Sequence, residues 1–345
     1  MTDKDANKWI TEHGQKYKWI GAVRDYRRIN SLKKKLESFR NATMSDDRYY
    51  GNIMYWGATT GRFSGGGGNL NLQNLPRGET FGVDLRKMIS PKPDKRLVVA
   101  DLSQIEVRTL CWLAGDTRML EEIRNCDDIY EAFAIRFGMW SSRKGVLKDK
   151  DPALRHKVKT MVLGCGYGAY VTRFSEMSGM SIKEAEKAVK MYREHMNMVV
   201  RLWNVYQRKA HTCYTVVEPF EIALPSGRSL NYGLLKCHLT DGRRSILSML
   251  ARGAKKTPVR IWGGLLAENA SQALARDVFS DIMLRLEERG LKVIFHVHDE
   301  VVIEADKDEA DDVLNDVIDI MRTPPEWLPD LPLDAEGKVI TRYEK

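Results

Sequence analysis

The sequence predicts an α+β fold in which antiparallel strands and long helical runs occupy separate stretches of the chain. Three observations predict it. At 96–107, RLVVADLSQIEV, the run Val98-Val99-Ala100 reads as a short buried strand that ends on Asp101. At 291–305, LKVIFHVHDEVVIEA, two β-branched runs (292–297 and 301–303) flank His298-Asp299-Glu300, the pattern of a hairpin with acids at its tip. Between these stretches, residues 116–215 carry repeated helix signals, including an Asp151-Pro152 start and the capping box Ser181-Ile182-Lys183-Glu184.

The remaining elements follow in order. Residues 20–40 form a basic helix, whose plainer role is a solvated face. Residues 50–78 are rich in aromatics, Gly and Asn. The glycines at 65–68 are not followed by Gly-Lys-Ser/Thr, so they read as a flexible turn and not a nucleotide phosphate loop. Residues 104–113 make a one-sided helix, for which Ser103 is the expected N-cap. The helix over 153–163 breaks at Gly164-Cys165-Gly166-Tyr167-Gly168. Residues 216–235 alternate around Pro-Ser-Gly as a hairpin, and 266–289 form a long helix ended by Gly290.

The 345 residues and 39.5 kDa suit about two domains. There is no apolar run of about 18 residues to cross a membrane, and the N-terminus lacks the apolar core of a signal peptide. Cys111, Cys126, Cys165, Cys213 and Cys237 are odd in number and contain no CxxC, which argues against a disulfide framework or a zinc site and for a reducing, cytoplasmic setting. The net charge of +8 is unevenly spread: +5 over residues 1–60, +11 over 61–300 and −8 over 301–345. A basic body with an acidic tail suits a polyanionic partner, nucleic acid first, although charge by itself argues association and not fold.

Asp101 and Asp299 stand at strand ends far apart in sequence. If the strands are neighbours, their carboxylates suit a pair of hard divalent ions, Mg²⁺ or Mn²⁺, of the kind that stabilise both oxygens of a phosphoryl displacement. Taken singly, each acid is more simply a solvated turn residue. Arg155, Lys159 and Leu163 lie at i, i+4 and i+8 on one helix face, where a fork and a point charge one turn apart could clamp a triphosphate. An exposed basic stripe is the plainer alternative.

These residues, taken together, resemble the DNA polymerase I family (family A). Asp101-Leu102-Ser103-Gln104-Ile105-Glu106-Val107-Arg108 is similar to its metal-binding motif A. Arg155-x-x-x-Lys159 with Leu163-Gly164-x-x-Tyr167-Gly168 is similar to motif B, and His298-Asp299-Glu300 to motif C. Thr60-Gly61-Arg62 with Asn71-Leu72-Gln73-Asn74-Leu75-Pro76 is similar to the TGR…NLQN(I/L)P segment, and Gln272 stands at the minor-groove glutamine. The motifs fall in the family's order over roughly residues 50–305.

The resemblance implies that Asp101, Asp299 and the Leu102 carbonyl hold two Mg²⁺ ions. It implies that Arg155 and Lys159 bind dNTP phosphates, with Lys159 also protonating the pyrophosphate, and that Gln104, Leu163 and Tyr167 complete the nucleotide site. Glu106 would exclude a 2′-OH. Arg62, Asn71, Asn74, Gln272 and His298 would touch DNA, and Glu300 would be an outer acid of the centre. Four departures stand out: Leu163 where the family has Phe or Tyr, Tyr130 for His, Leu102 for Tyr, and Glu268 for Asn. They look more phage-like than cellular, which would place the protein in a host cytoplasm.

The expected architecture is a right hand. It has an antiparallel palm sheet (51–115 and 262–345), inserted helical fingers with a hairpin (116–261), and a thumb reduced to the basic helix of 1–50. The expected activity is template-directed DNA synthesis from primer-template DNA and dNTPs, with no proofreading exonuclease and no membrane partner. The chain could depend on a separate exonuclease or thumb chain, or on a processivity factor. The main alternative is a DNA-binding subunit, or half of a split replicase, with little activity alone. A single-subunit RNA polymerase and a two-metal nuclease are weaker rivals.

Overall fold

The computed structural model describes residues 9–13, 16–66, 71–141, 145–240, 243–248, 251–252, 255–256 and 258–344. After a helical segment at 9–13, the chain enters helix α1 (Lys18–Ala42). Strand β1 (Lys95–Leu102) leads into a helical stretch of α2 (Ile105–Leu113), α3 (Thr117–Arg124), α4 (Ile129–Arg136), α5 (Pro152–Cys165), α6 (Val171–Ser178), α7 (Ile182–His195) and α8 (Asn197–Val216). Strands β2 (Pro219–Ala223) and β3 (Ser229–Leu234) pair as the expected hairpin. Next come β4 (Lys236–Thr240), β5 (Arg243–Ser248) and β6 (Val259–Ile261), a small sheet ordered β6-β5-β4 that sequence reasoning did not foresee. Helix α9 (Gly263–Glu288), strands β7 (Val293–Val297) and β8 (Glu300–Asp306), helix α10 (Ala310–Arg322) and strand β9 (Ala335–Ile340) complete the chain.

The organising element is a sheet ordered β7-β8-β1-β9, antiparallel throughout. Because side chains alternate along a strand, β1 divides its residues between two layers. Val98, Ala100 and Leu102 face helices α9 and α10, meeting Val278, Ile282, Val317 and Met321. Leu97 and Val99 face the other way, toward Val297, Val302 and Tyr343. Asp101 shares the parity of Leu97 and Val99, so it stands on the face away from the helices. A second core joins the helical stretch, with Met119, Phe133, Val158, Phe174, Val189 and Tyr192 all buried.

Three local expectations are corrected. Strand β1 is longer than the three-residue run, because it pairs on both edges, and Asp101 and Leu102 lie within it. Ser103 is not the helix cap: Gln104 takes that position in a left-handed conformation (φ 48°), and Ser103 instead donates its backbone N–H to the Asp334 carbonyl at 2.8 Å. Gly164 does not stop its helix, which runs on to Cys165. A Cβ there would sit 2.6 Å from the Phe174 ring, so this glycine admits helix α6 and does not break α5.

Helix α1 anchors by its C-terminal half, where Phe39 packs with Leu75 and Leu85, while Trp19 and Tyr26 near its start are exposed. Of the four glycines at 65–68, Gly65 pairs with Ile53 in a two-residue ladder, and residues 67 and 68 lie outside the described residues. No helix among the described residues is long and apolar enough to cross a membrane.

Candidate active site

The two strand-end acids expected to act together are joined through the backbone. The Leu102 N–H donates to the Asp299 carbonyl at 3.1 Å, tying the end of β1 to the β7–β8 turn. In register, Asp101 stands opposite Glu300 on β8 and Glu336 on β9, so three acids cross one edge of the sheet. Directly opposed like charges destabilise a sheet. Glu336, exposed and on the strand that sequence reasoning missed, was not foreseen as part of this row.

The turn bearing Asp299 is held by a residue the site expectations omitted. Gln73, 6% exposed, accepts from the His298 N–H at 2.8 Å and donates Nε2 to the His296 carbonyl at 2.8 Å. These two bonds fix His298 in its left-handed conformation (φ 60°). Gln73 sits in the turn Leu72–Asn74, whose first N–H bonds are met by Asn71 Oδ1, accepting from Gln73 at 2.9 Å. Asn71 therefore uses its side-chain oxygen as a cap, whereas Asn74 is exposed. The signal for Gln73 was its place inside the NLQN segment.

His296, next to this turn, is buried against Phe63 and Phe279, with ring centroids at 4.9 and 5.5 Å. Burial, with the neighbouring His298 charge, pushes its pKa down to about 4 from the usual 6.5. Between those values the unfolded imidazole takes a proton that the folded one refuses. Its contribution to stability is thus complete above about pH 6.5 and is lost as pH falls toward about 4. Urea denaturation across this range should show a steeper pH dependence for the native protein than for His296→Asn; equal slopes would contradict the assignment.

Glu300, expected at the hairpin tip, is the first residue of β8 and is 1% exposed. Its carboxylate accepts from the Tyr343 hydroxyl, which in turn accepts from Arg86 Nη1 at 2.9 Å. Burial and this bond raise the Tyr343 pKa.

A narrow cleft of about 30 Å³ beside the turn brings together Arg62, Glu106, Gln272, Arg276, His298 and Asp299. Within it, Arg62 Nη1 donates to Glu106 Oε1 at 2.7 Å. Tyr167 sits nearby: burial and the Glu106 charge raise its hydroxyl pKa, partly offset by a hydrogen bond with Ser271. Glu268, the residue in the Asn position, is also shifted up by burial and by Glu106. Gln104 is half-buried at the start of α2.

Helix α5 carries the phosphate candidates. It starts where expected, with Asp151 Oδ1 accepting from Leu154 N–H at 2.9 Å. Arg155 and Lys159 lie over the Tyr130 ring, 5.1 and 5.8 Å from its centroid. Arg155 forms a two-pronged ion pair with Asp128, whose Oδ1 also caps helix α4. Lys159 is exposed, and Leu163 is 47% exposed on the same helix. The Asp128 bond raises the Arg155 pKa, and the charge of Glu336 adds to the effect, which links this helix face to the sheet edge bearing Asp101.

Among the described residues no cluster of three or more His, Cys, Asp or Glu side chains is disposed to hold a metal. Asp101 and Asp299, at backbone-bonded neighbouring strand ends, still fit Mg²⁺, which is commonly held by one or two carboxylates with waters and substrate phosphates filling the other positions.

Comparison with known proteins shows the family of the chain. The model of DNA polymerase family A matches residues 2–222. The DNA polymerase of Bacillus phage SP02 is 28% identical over 364 residues, covering 90% of this chain and 55% of that one. The thermostable DNA polymerase I of Thermus aquaticus is 28% identical over 258 residues, covering 74% and 28% respectively. In fold, the chain matches the POL domain of Pol1 from M. smegmatis, solved in complex with DNA primer-template and dNTP, with a TM-score of 0.70 at 20% identity, covering 98% of this chain and 55% of that one. The chain thus spans about half the length of the phage relative, or less for the thermostable one. With the family's model matched over residues 2–222 of 345, this protein belongs to DNA polymerase family A.

Proposed function

We propose that this chain carries a polymerase centre that extends a DNA primer with dNTPs under the direction of a template. The observation that carries the reading is the Leu102 N–H bond to the Asp299 carbonyl, which joins the strand ends bearing Asp101 and Asp299 beside the Arg62–Glu106–Gln272 cleft. Residues 51–115 and 262–345 then form the palm, 116–261 the fingers and hairpin, and the basic helix within 1–50 belongs to the thumb.

Asp101 and Asp299, with the Leu102 carbonyl, are the residues that would hold the ions. Two bound Mg²⁺ ions would supply the positive charge that stabilises the attacking and leaving oxygens of an in-line displacement. The primer 3′-oxygen bonds to the α-phosphorus as the bond to the bridging β-oxygen breaks. Lys159, exposed on its helix, would give its proton to the departing pyrophosphate. Arg155 would exchange Asp128 for the triphosphate, since a polyphosphate offers the same fork-matching oxygens with more charge. Tyr130 would keep both cations oriented during that exchange. Arg62, Asn71, Asn74, Gln272 and His298 would meet the duplex.

Glu106 is proposed to sit under the sugar. Its orientation is fixed by Arg62, so shortening it should open space for a 2′-OH. Glu106→Ala is expected to raise the rNTP-to-dNTP incorporation ratio at least about tenfold, equal to ~1.4 kcal/mol of discrimination. An unchanged ratio in single-nucleotide incorporation would remove Glu106 from that role. The match covers 55% of the phage polymerase, and primer extension by the purified chain tests the proposal.

A further inference from the structure

We infer that Arg276 is an additional DNA contact, a donor to the minor-groove acceptors of the primer–template duplex one helical turn beyond Gln272. The inference rests on the polymerase reading above. Gln272 and Arg276 are i and i+4 on α9, hence on one face, and both line the cleft with Arg62, Glu106, His298 and Asp299.

The surroundings of Arg276 hold its charge at the cleft without fully using it. Its guanidinium lies over Phe63, 4.7 Å from the ring centroid, and 5.9 Å from the centroid of Trp56. Phe63 in turn meets His296, so this platform is tied to the hairpin that presents Asp299. One carboxylate, Asp277, serves two arginines. It accepts from Ser226 Oγ at 2.6 Å, from Arg228 Nε at 3.0 Å, and only at 3.3 Å from Arg276 Nη1. Two guanidiniums on one carboxylate leave a positive charge over, and Arg276 holds the weaker claim. Its Nε is buried with no hydrogen-bond partner among the described residues. An orphaned donor of this kind carries a free-energy cost, which a ligand that draws the guanidinium forward would relieve. A purely structural arginine, sharing Asp277 with Arg228 and holding it only at 3.3 Å, would gain little from a place at the mouth of this cleft.

The minor groove presents acceptors for every base pair, whatever the sequence. A donor there senses pair geometry, as expected for a residue that must serve all templates. The four residues from Gln272 to Arg276 advance about 6 Å along α9, while successive nucleotides of a strand lie about 3.4 Å apart. Arg276 should therefore meet the duplex about two steps from the pair touched by Gln272.

The test uses primers carrying one 3-deazapurine, which lacks the minor-groove N3 acceptor, at each of the first few positions behind the 3′ end. Native protein should be slowed at the position touched by Gln272 and, about two steps away, at a second position, where the rate falls about tenfold. Arg276→Ala should be about tenfold slower on the unmodified primer and should lose nothing more from the 3-deazapurine at that position. Arg276→Lys should recover part of the rate. Arg276→Met, which keeps much of the side-chain length without a donor, gives the same readout should the alanine variant unfold. If Arg276→Ala extends the unmodified primer at the native rate, or loses as much as native protein at the second position, the contact is wrong. Native protein with no sensitive position beyond the one touched by Gln272 overturns the contact alone; native protein that extends none of the primers overturns the polymerase reading with it.

Discussion

Replacing Asp101 or Asp299 with alanine is expected to abolish primer extension while leaving the fold standing. The loss should reach about a thousandfold or more, because divalent ions at such a centre supply several kcal/mol of charge stabilisation and ~4 kcal/mol corresponds to about three orders of magnitude. The fold should survive because β1 is held by backbone pairing on both edges, and Asp101 adds no apolar contact to either core. Asp101 also stands between Glu300 and Glu336 in register, so removing it relieves like-charge opposition. The two readouts should therefore separate: thermal midpoint unchanged or raised for Asp101→Ala, activity lost. A variant with full activity, or one inactive only because it is unfolded, would contradict the role assigned to the acid.

Gln73→Ala should do the opposite, weakening stability and activity together. It leaves the His298 N–H and the His296 carbonyl without their buried partner. Each unsatisfied group costs about 1–3 kcal/mol, for a total of about 2–4 kcal/mol if the turn relaxes in part. Such a loss should lower the thermal midpoint by several degrees, and extension should slow because the same turn aims Asp299. Gln73→Glu divides the effect: a carboxylate still accepts from His298 but cannot donate to His296, so its midpoint should fall between native and alanine. A native-like midpoint and rate for Gln73→Ala would mean that the turn holds its shape unaided.

The legible parts of the fold were those written in local chemistry. Asp151-Pro152 and the Ser181–Glu184 box announced helices α5 and α7, and the β-branched runs around His298-Asp299 announced β7 and β8. The parts that stayed hidden depend on long-range pairing. Strand β9, AEGKVI, has two charged residues and a glycine among six, so nothing local marks it as a strand; pairing with β1 makes it one. That pairing also lengthens β1 and adds Glu336 to the row of acids. Glu300 looked like a tip residue because sequence separates it from Asp299 by one position, yet pairing with Asp101 pulls it into the sheet and under Tyr343. Gln73 and the Arg155–Asp128 pair were illegible for the same reason, since each links segments that only the folded chain brings together. The candidate site was visible as a set of residue types in order, and its wiring was not.

The most direct test of the central claim is single-nucleotide primer extension by the purified chain, with Mg²⁺ and each dNTP supplied separately opposite each template base. The account predicts that only the complementary dNTP is added, that addition stops when the divalent ion is chelated, and that it resumes when Mg²⁺ is returned. No addition with any dNTP, or addition that ignores the template base, would contradict it.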